Sequence, residues 1–224
     1  MDGEADGTVT DHAEPWETRI GVPESFTGVH PDKEPSELPG GKAWAPLIEA
    51  LRGFLDDLAG SLPDQERTVA LTREVEKWST QLRQDQVPET LQAFGHRVDL
   101  DGRGQVMVPA FVLTGRGPDS VEGTVTFGRY FLGGHGAVHG GAVALLFDEV
   151  LGRLSDTSSR PPGRTANLTV NYRAVTQVGK PLTVRAHFEE ESGRKRYLVG
   201  EIWDGETLCA DARALFLGLR AGQD

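Results

Sequence analysis

The sequence predicts an α+β domain, an antiparallel sheet packed against one long helix, preceded by a helical extension. Three observations point there. Apolar residues alternate with period two from residue 105 onward. Strand candidates at 165–175, 182–190, 195–203 and 207–217 follow one another with short turns. Only one sustained apolar helix, spanning 139–154, is set among them. The 28 Gly and 13 Pro residues also speak against an all-helical bundle.

Residues 1–42 read as an acidic Pro/Gly-rich tail, with ten acids against three bases and no sustained periodicity. Trp16, Ile20 and Phe26 are the residues able to pin it to the body. Residues 43–104 read as the helical extension. Trp44, Leu47, Ile48, Leu51, Leu55 and Leu58 recur at helical spacing, Ser61–Asp64 breaks the chain, and Leu71, Val75, Trp78 and Leu82 resume the pattern. This predicts a helical hairpin laid on something else, its apolar stripes used for packing rather than as a ligand groove, with the acyl tunnel or an oligomer interface as the places it can shape. Residues 105–218 hold the α+β domain, and 219–224 form a C-terminal tail. Within the domain, Val106, Val108, Phe111 and Leu113 read as a strand with an irregularity at Pro109. Another strand is expected near Val121–Tyr130.

The formal charge of −11 divides as −7 in residues 1–42, −4 in 43–104 and zero in 105–224. Such acidity argues against a nucleic-acid partner, while the neutral last part can accept an anionic ligand. A single cysteine, Cys209, forms no internal disulfide, which makes a reducing cytoplasm the expected compartment. No run of about 18 apolar residues exists to span a membrane, and no secretory leader is expected.

The helix 139–154 decides the chemistry. It is apolar on every side from Ala142 to Phe147, yet carries Asp148 and Glu149 in its middle. Burying an unpaired carboxylate costs several kcal/mol, in rough terms. Adjacent helical residues point about 100° apart, so the two acids occupy different environments. Glu149 can face solvent or pair with Arg153 at i, i+4. Asp148 has no local partner and reads as a carboxylate held for chemistry. Gly140 and Gly141 stand where the helix begins, where free backbone N–H groups suit developing negative charge. His139 orients a substrate or caps the helix. His135 and His139 lack a third ligand of fitting spacing, so no metal is expected.

Strand 165–173 places Thr165, Asn167, Thr169, Asn171 and Arg173 on one face, with Ala166, Leu168, Val170 and Tyr172 on the other. Arg194, Lys195 and Arg196 follow a turn and, with Arg173, suit a phosphorylated ligand; alternatively they are a hairpin tip beside Glu189–Glu191. There is no G-x-S-x-G elbow or phosphate-binding loop, and Gly102-Arg-Gly104 lacks the third glycine of a dinucleotide fingerprint.

Ala137-Val-His-Gly-Gly-Ala-Val-Ala-Leu-Leu-Phe-Asp148, Thr165-Ala-Asn-Leu-Thr-Val-Asn-Tyr-Arg173 and Gly193-Arg-Lys195 resemble the hotdog-fold acyl-CoA thioesterases of the PaaI and Them type, over residues 105–218. The resemblance implies an antiparallel sheet wrapped around a central helix and a homodimer, or dimer of dimers, with active sites at the subunit interface. It implies hydrolysis of an acyl-CoA thioester, with Asp148 as general base or nucleophile. Gly140 corresponds to the residue whose N–H polarises the carbonyl, Gly141 permits close approach, and His139 flanks the carbonyl. Thr165 helps to place the carboxylate or water, while Asn171, Arg173, Arg194 and Lys195 contact the CoA nucleotide and phosphates. No cofactor is implied beyond the CoA that arrives with the substrate. Some relatives carry Asn six positions before the motif His, where this chain has Gly133; its role passes to His135 or is missing. A non-catalytic acyl-CoA-binding hotdog protein is the alternative, and a hydratase ranks below both.

Overall fold

The computed structural model describes Glu34 and residues 36–157 and 160–220. The expected tail as far as residue 33, with Trp16, Ile20 and Phe26, lies outside the described residues. The extension forms α1 (Trp44–Ala59) and α2 (Gln65–Leu82). Asp64 caps α2 by accepting from the Arg67 N–H at 2.8 Å. Ile48 is buried, Trp44 Nε1 donates to the Gly104 carbonyl, and Arg52 Nη2 donates to the carbonyls of Asp101 and Gln105. These contacts strap α1 to the segment 101–105, where Gly102, Arg103 and Gly104 adopt left-handed φ values of 60°, 56° and 63°.

The contacts of the extension with the body run mainly through α1. On α2, Leu71 is partly covered, but Val75, Trp78 and Leu82 face solvent. Helical periodicity reports that a face is apolar, not that a partner within the chain covers it.

The sheet consists of β1 (Phe111–Arg116), β2 (Ser120–Thr126), β5 (Gly163–Tyr172), β6 (Pro181–Ser192), β7 (Lys195–Asp204) and β8 (Thr207–Gly218). Its order is β1-β2-β6-β7-β8-β5, with every neighbouring pair antiparallel. A separate pair, β3 (Leu132–Gly134) and β4 (Ala137–Val138), turns at His135, whose φ is 50°. The first strand starts later than the alternation predicted. Pro109 has no N–H to give a ladder, and the segment before it is engaged elsewhere, with the Val106 carbonyl accepting from Tyr130 Oη. The expected strand to Tyr130 stops at Thr126, and residues Arg129–Phe131 form a 3₁₀ turn against α1.

The central helix α3 (Gly140–Ser155) lies on one sheet face. Its Leu146, Phe147, Val150, Leu151 and Leu154 join Val184, Leu198, Ile202 and Ala212 in the core. Gly200 permits the close approach, since a Cβ there stands 2.8 Å from Phe147 Cδ1 and 3.4 Å from Leu151 Cδ2. Gly200→Val is therefore expected to lower stability by about 1–3 kcal/mol through overpacking, read as a reduced urea midpoint with unchanged slope. Arg196 pins β7 to the C-terminal end of α3. It is buried, donates from Nη1 to the Ser155 carbonyl at 2.8 Å, and pairs with Asp156 and Glu191. Of the basic cluster, this member is structural.

Candidate active site

At the start of α3, His139 is the N-cap, and its Nδ1 accepts from the Gly141 N–H at 3.0 Å. The N–H groups of Ala142 and Val143 go to the His139 carbonyl. The Gly140 N–H is left without a partner among the described residues. Tyr172 Oη donates to the Gly140 carbonyl at 2.8 Å, and its ring sits so close that a Cβ at 140 meets Oη at 3.1 Å. A cleft of about 360 Å³ opens beside this turn, lined by Gly140, Gly141, Val143, Tyr172, Val175 and Thr176 among others.

Asp148 stands further along the same helix, half-buried, with Oδ1 accepting from Thr165 Oγ1 at 2.8 Å. A bulge brings Thr165 there. In the β5–β8 register Thr165 pairs with Phe216 but Asn167 pairs with Leu215, so Ala166 is the extra residue. Thr165 consequently faces α3 together with Leu168, Val170 and Tyr172, while Asn167, Thr169 and Asn171 point the other way. The single polar face expected from strict alternation is thus split.

The two acids also differ from expectation. Glu149 is the deeper one, 6% exposed. Arg103 Nη2 reaches its Oε2 at 2.7 Å, and Arg153 stands 3.9 Å from its Oε1. Burial pushes the Arg153 guanidinium down from its ordinary value, and Glu149 opposes that shift. Arg103 and Tyr172 were not anticipated as site residues. The left-handed Gly-Arg-Gly turn and the apolar-face position of Tyr172 were the available clues.

Asn171 and Arg173 converge on Asp211, Asn171 Nδ2 at 2.7 Å and Arg173 Nε at 2.5 Å. The Arg173 hydrogen bond holds the Asp211 carboxyl below its ordinary range. Arg194 and Lys195 lie at the opposite end of the sheet. Arg194 Nη1 donates to the Gly218 carbonyl, and Lys195 is in register with Leu217. Asp211 and Leu217 are six residues apart on β8, about 20 Å along an extended strand. One chain alone does not join the two basic groups. Gly133 packs tightly, since a Cβ there stands 2.9 Å from His139 Cα, and a larger side chain does not fit without a shift. His135 is exposed at the β3–β4 turn. Among the described residues, no three His, Cys, Asp or Glu are grouped to hold a metal ion, and no helix is long and apolar enough to cross a membrane.

Residues 135–210 match the thioesterase superfamily. Acyl-coenzyme A thioesterase THEM4 of Bos taurus is 30% identical over 94 residues, 41% of this chain and 38% of that protein. The chain thus spans well under half the length of this curated relative. The crystal structure of a thioesterase superfamily protein aligns with a TM-score of 0.68 at 26% identity, covering 81% of this chain and 97% of that one. A phenylacetic acid degradation-related protein of Ralstonia eutropha JMP134 aligns at 25% identity over 48% of this chain and 83% of that one, with a TM-score of 0.45. Residues 135–210 thus match the thioesterase superfamily, and they lie within a six-stranded antiparallel sheet packed on a central helix, the hotdog fold.

Proposed function

We propose that the protein hydrolyses acyl-CoA thioesters, as a homodimer whose active sites each combine residues of two copies. One observation carries this reading: a carboxylate and an unpartnered helix-start N–H occur on one helix, yet too far apart to serve one carbonyl. Gly140 and Asp148 are eight residues apart, about 12 Å along the axis at 1.5 Å per residue. A thioester carbonyl docked on the Gly140 N–H of one copy needs the Asp148 of another. The exposed edge strand β5, which carries Thr165, is suited to pair with a second copy.

In the base route, Asp148 takes a proton from water as the water oxygen bonds to the thioester carbon. The Gly140 N–H stabilises the oxyanion, the C–S bond breaks, and the thiolate of CoA leaves and takes up a proton. In the nucleophile route, an Asp148 oxygen attacks that carbon, the C–S bond breaks and the CoA thiolate leaves and takes up a proton, and water then hydrolyses the mixed anhydride to the acid and the free Asp148 carboxylate. Thr165 orients the carboxylate in both. The cleft beside Tyr172 and Val175 has the size to take the acyl end. Asn171, Arg173, Arg194 and Lys195 are the candidate contacts to the CoA nucleotide and phosphates, drawn from two copies because one chain separates them.

The test is release of free thiol from a panel of acyl-CoAs. Binding without thiol release replaces this reading with that of a non-catalytic acyl-CoA-binding protein. Thr165→Val is expected to lower kcat roughly 10- to 100-fold, the weight of a hydrogen bond to a charged group, with KM little changed.

A further inference from the structure

Gly140 and Gly141 share one peptide unit whose two polar atoms are both held by side chains. Its carbonyl, on Gly140, accepts from Tyr172 Oη at 2.8 Å, and its N–H, on Gly141, donates to His139 Nδ1 at 3.0 Å. Neither glycine has a side chain to restrain its own backbone, so this pair of hydrogen bonds does so from outside. The fit is close on both sides. A Cβ at 140 meets Tyr172 Oη at 3.1 Å and Cζ at 3.3 Å, and one at 141 meets His139 Nδ1 at 3.1 Å. Next to the gripped peptide stands the Gly140 N–H, which has no partner among the described residues. Tyr172 is itself tethered. It pairs with Ala210 on β8, and the next two N–H groups, of Arg173 and Ala174, donate to the Cys209 carbonyl. Thr165 and Tyr172 are seven residues apart, so strict alternation would send them to opposite faces. The extra residue Ala166 puts both on the α3 side, Thr165 against Asp148 and Tyr172 against Gly140. One strand thereby touches both groups of α3 that the proposed reaction uses.

We infer that Tyr172 is a positioning residue for the carbonyl-binding N–H, a role that rests on the thioesterase reading of this site. With His139 it clamps the Gly140–Gly141 peptide and so holds the adjoining Gly140 N–H in one direction. A donor stabilises an oxyanion best when it already points to where the charge develops, and two glycines are the least constrained backbone on which to place one. The clamp supplies that restraint without blocking access. It occupies the carbonyl of 140 and the N–H of 141, and it leaves the N–H of 140 clear. His139 takes part only with an unprotonated Nδ1, because that nitrogen is the acceptor. The fold itself has little need of the Tyr172 hydroxyl. Leu146, Phe147 and Leu151 already hold α3 on the sheet, and Tyr172 is 57% exposed, where one hydrogen bond adds little to stability.

Tyr172→Phe in the full chain tests this, since it removes the hydroxyl and keeps the ring. With an acyl-CoA as substrate, kcat is expected to fall about 3- to 10-fold, the weight of one neutral hydrogen bond. KM stays within about twofold and the urea midpoint does not move. The backbone is read without any turnover. Gly136 and Gly140 are the only glycines that directly follow a histidine. A chain carrying ¹³C-carbonyl His and ¹⁵N-Gly therefore shows one amide cross peak for each, and His135→Asn identifies that of Gly136 by deleting it. In Tyr172→Phe the Gly140 peak is expected to broaden or split while the Gly136 peak stays. An unaltered Gly140 peak overturns the clamp. A broadened peak with full kcat, or a loss of kcat that tracks a lowered urea midpoint, overturns the positioning role. A loosened clamp in a chain that releases no thiol sinks the thioesterase reading and leaves the clamp standing; thiol release with an unaltered Gly140 peak sinks only the clamp.

Discussion

Asp148→Asn is expected to lower kcat for acyl-CoA hydrolysis by roughly 10²- to 10⁴-fold, the usual weight of a positioned general base, with KM nearly unchanged. The replacement keeps the size of the side chain and an oxygen able to accept from Thr165 Oγ1, now at 2.8 Å from Asp148. It removes only the ability to take a proton or to attack. The fold has little stake in the change, because Asp148 is half-buried and its partner is a hydroxyl rather than a counter-charge. A fall in kcat with an unaltered urea midpoint is therefore the expected pair of results, and unchanged turnover removes Asp148 from the mechanism. A single turnover in H₂¹⁸O bears on the two routes: the base route labels only the acid product, so label found on Asp148 itself establishes the nucleophile route with water opening the anhydride at the Asp148 carbonyl.

The sheet and its helix were legible because both bury one face, and burial writes a period into the sequence. The four later strands and α3 occur where alternation and the apolar run predicted them. What strict alternation hides is a single inserted residue. Ala166 shifts β5 by one position, turns Thr165 toward Asp148, and parts it from Asn167 and Asn171; no local sequence feature marks that bulge. Long-range charge pairing is hidden as well. Glu149 has an obvious i, i+4 neighbour in Arg153, but its shorter contact comes from Arg103, 46 positions earlier and held in a left-handed turn. The exposed side of α2 is only half legible for the converse reason, since an apolar stripe states a need for cover without naming its source. Asn171 and Arg173 read as free to grip phosphate, whereas the neighbouring strand supplies Asp211 as their partner.

Arg103→Met is expected to destabilise the fold by about 1–3 kcal/mol, less than the loss of a fully buried partner, because Glu149 is buried but the Arg103 side chain is 39% exposed and partly screened. The cause is Glu149. Its carboxylate sits inside α3 at 6% exposure and has Arg103 at 2.7 Å, with Arg153 only at 3.9 Å. Without Arg103 the remaining guanidinium is too distant for a good hydrogen bond, and the desolvated charge is left undercompensated. For a chain of this size the melting temperature falls by roughly 2–12 °C. If the penalty lies in the orphaned carboxylate, neutralising it relieves the loss: Arg103→Met with Glu149→Met recovers most of the stability, and the coupling in the double-mutant cycle is large. A purely steric role for Arg103 instead makes the two losses additive. Hydrolysis discriminates further. The core contacts of Leu146, Phe147 and Leu151 hold α3 on the sheet independently of this pair, and Asp148 points about 100° away from Glu149. At temperatures where the Arg103→Met chain is folded, kcat per folded molecule is expected to stay within a few-fold of the unchanged chain, in contrast to the loss at Asp148. The extension thus anchors the helix through Glu149 and leaves the Asp148 carboxylate, on another side of α3, to its Thr165 partner.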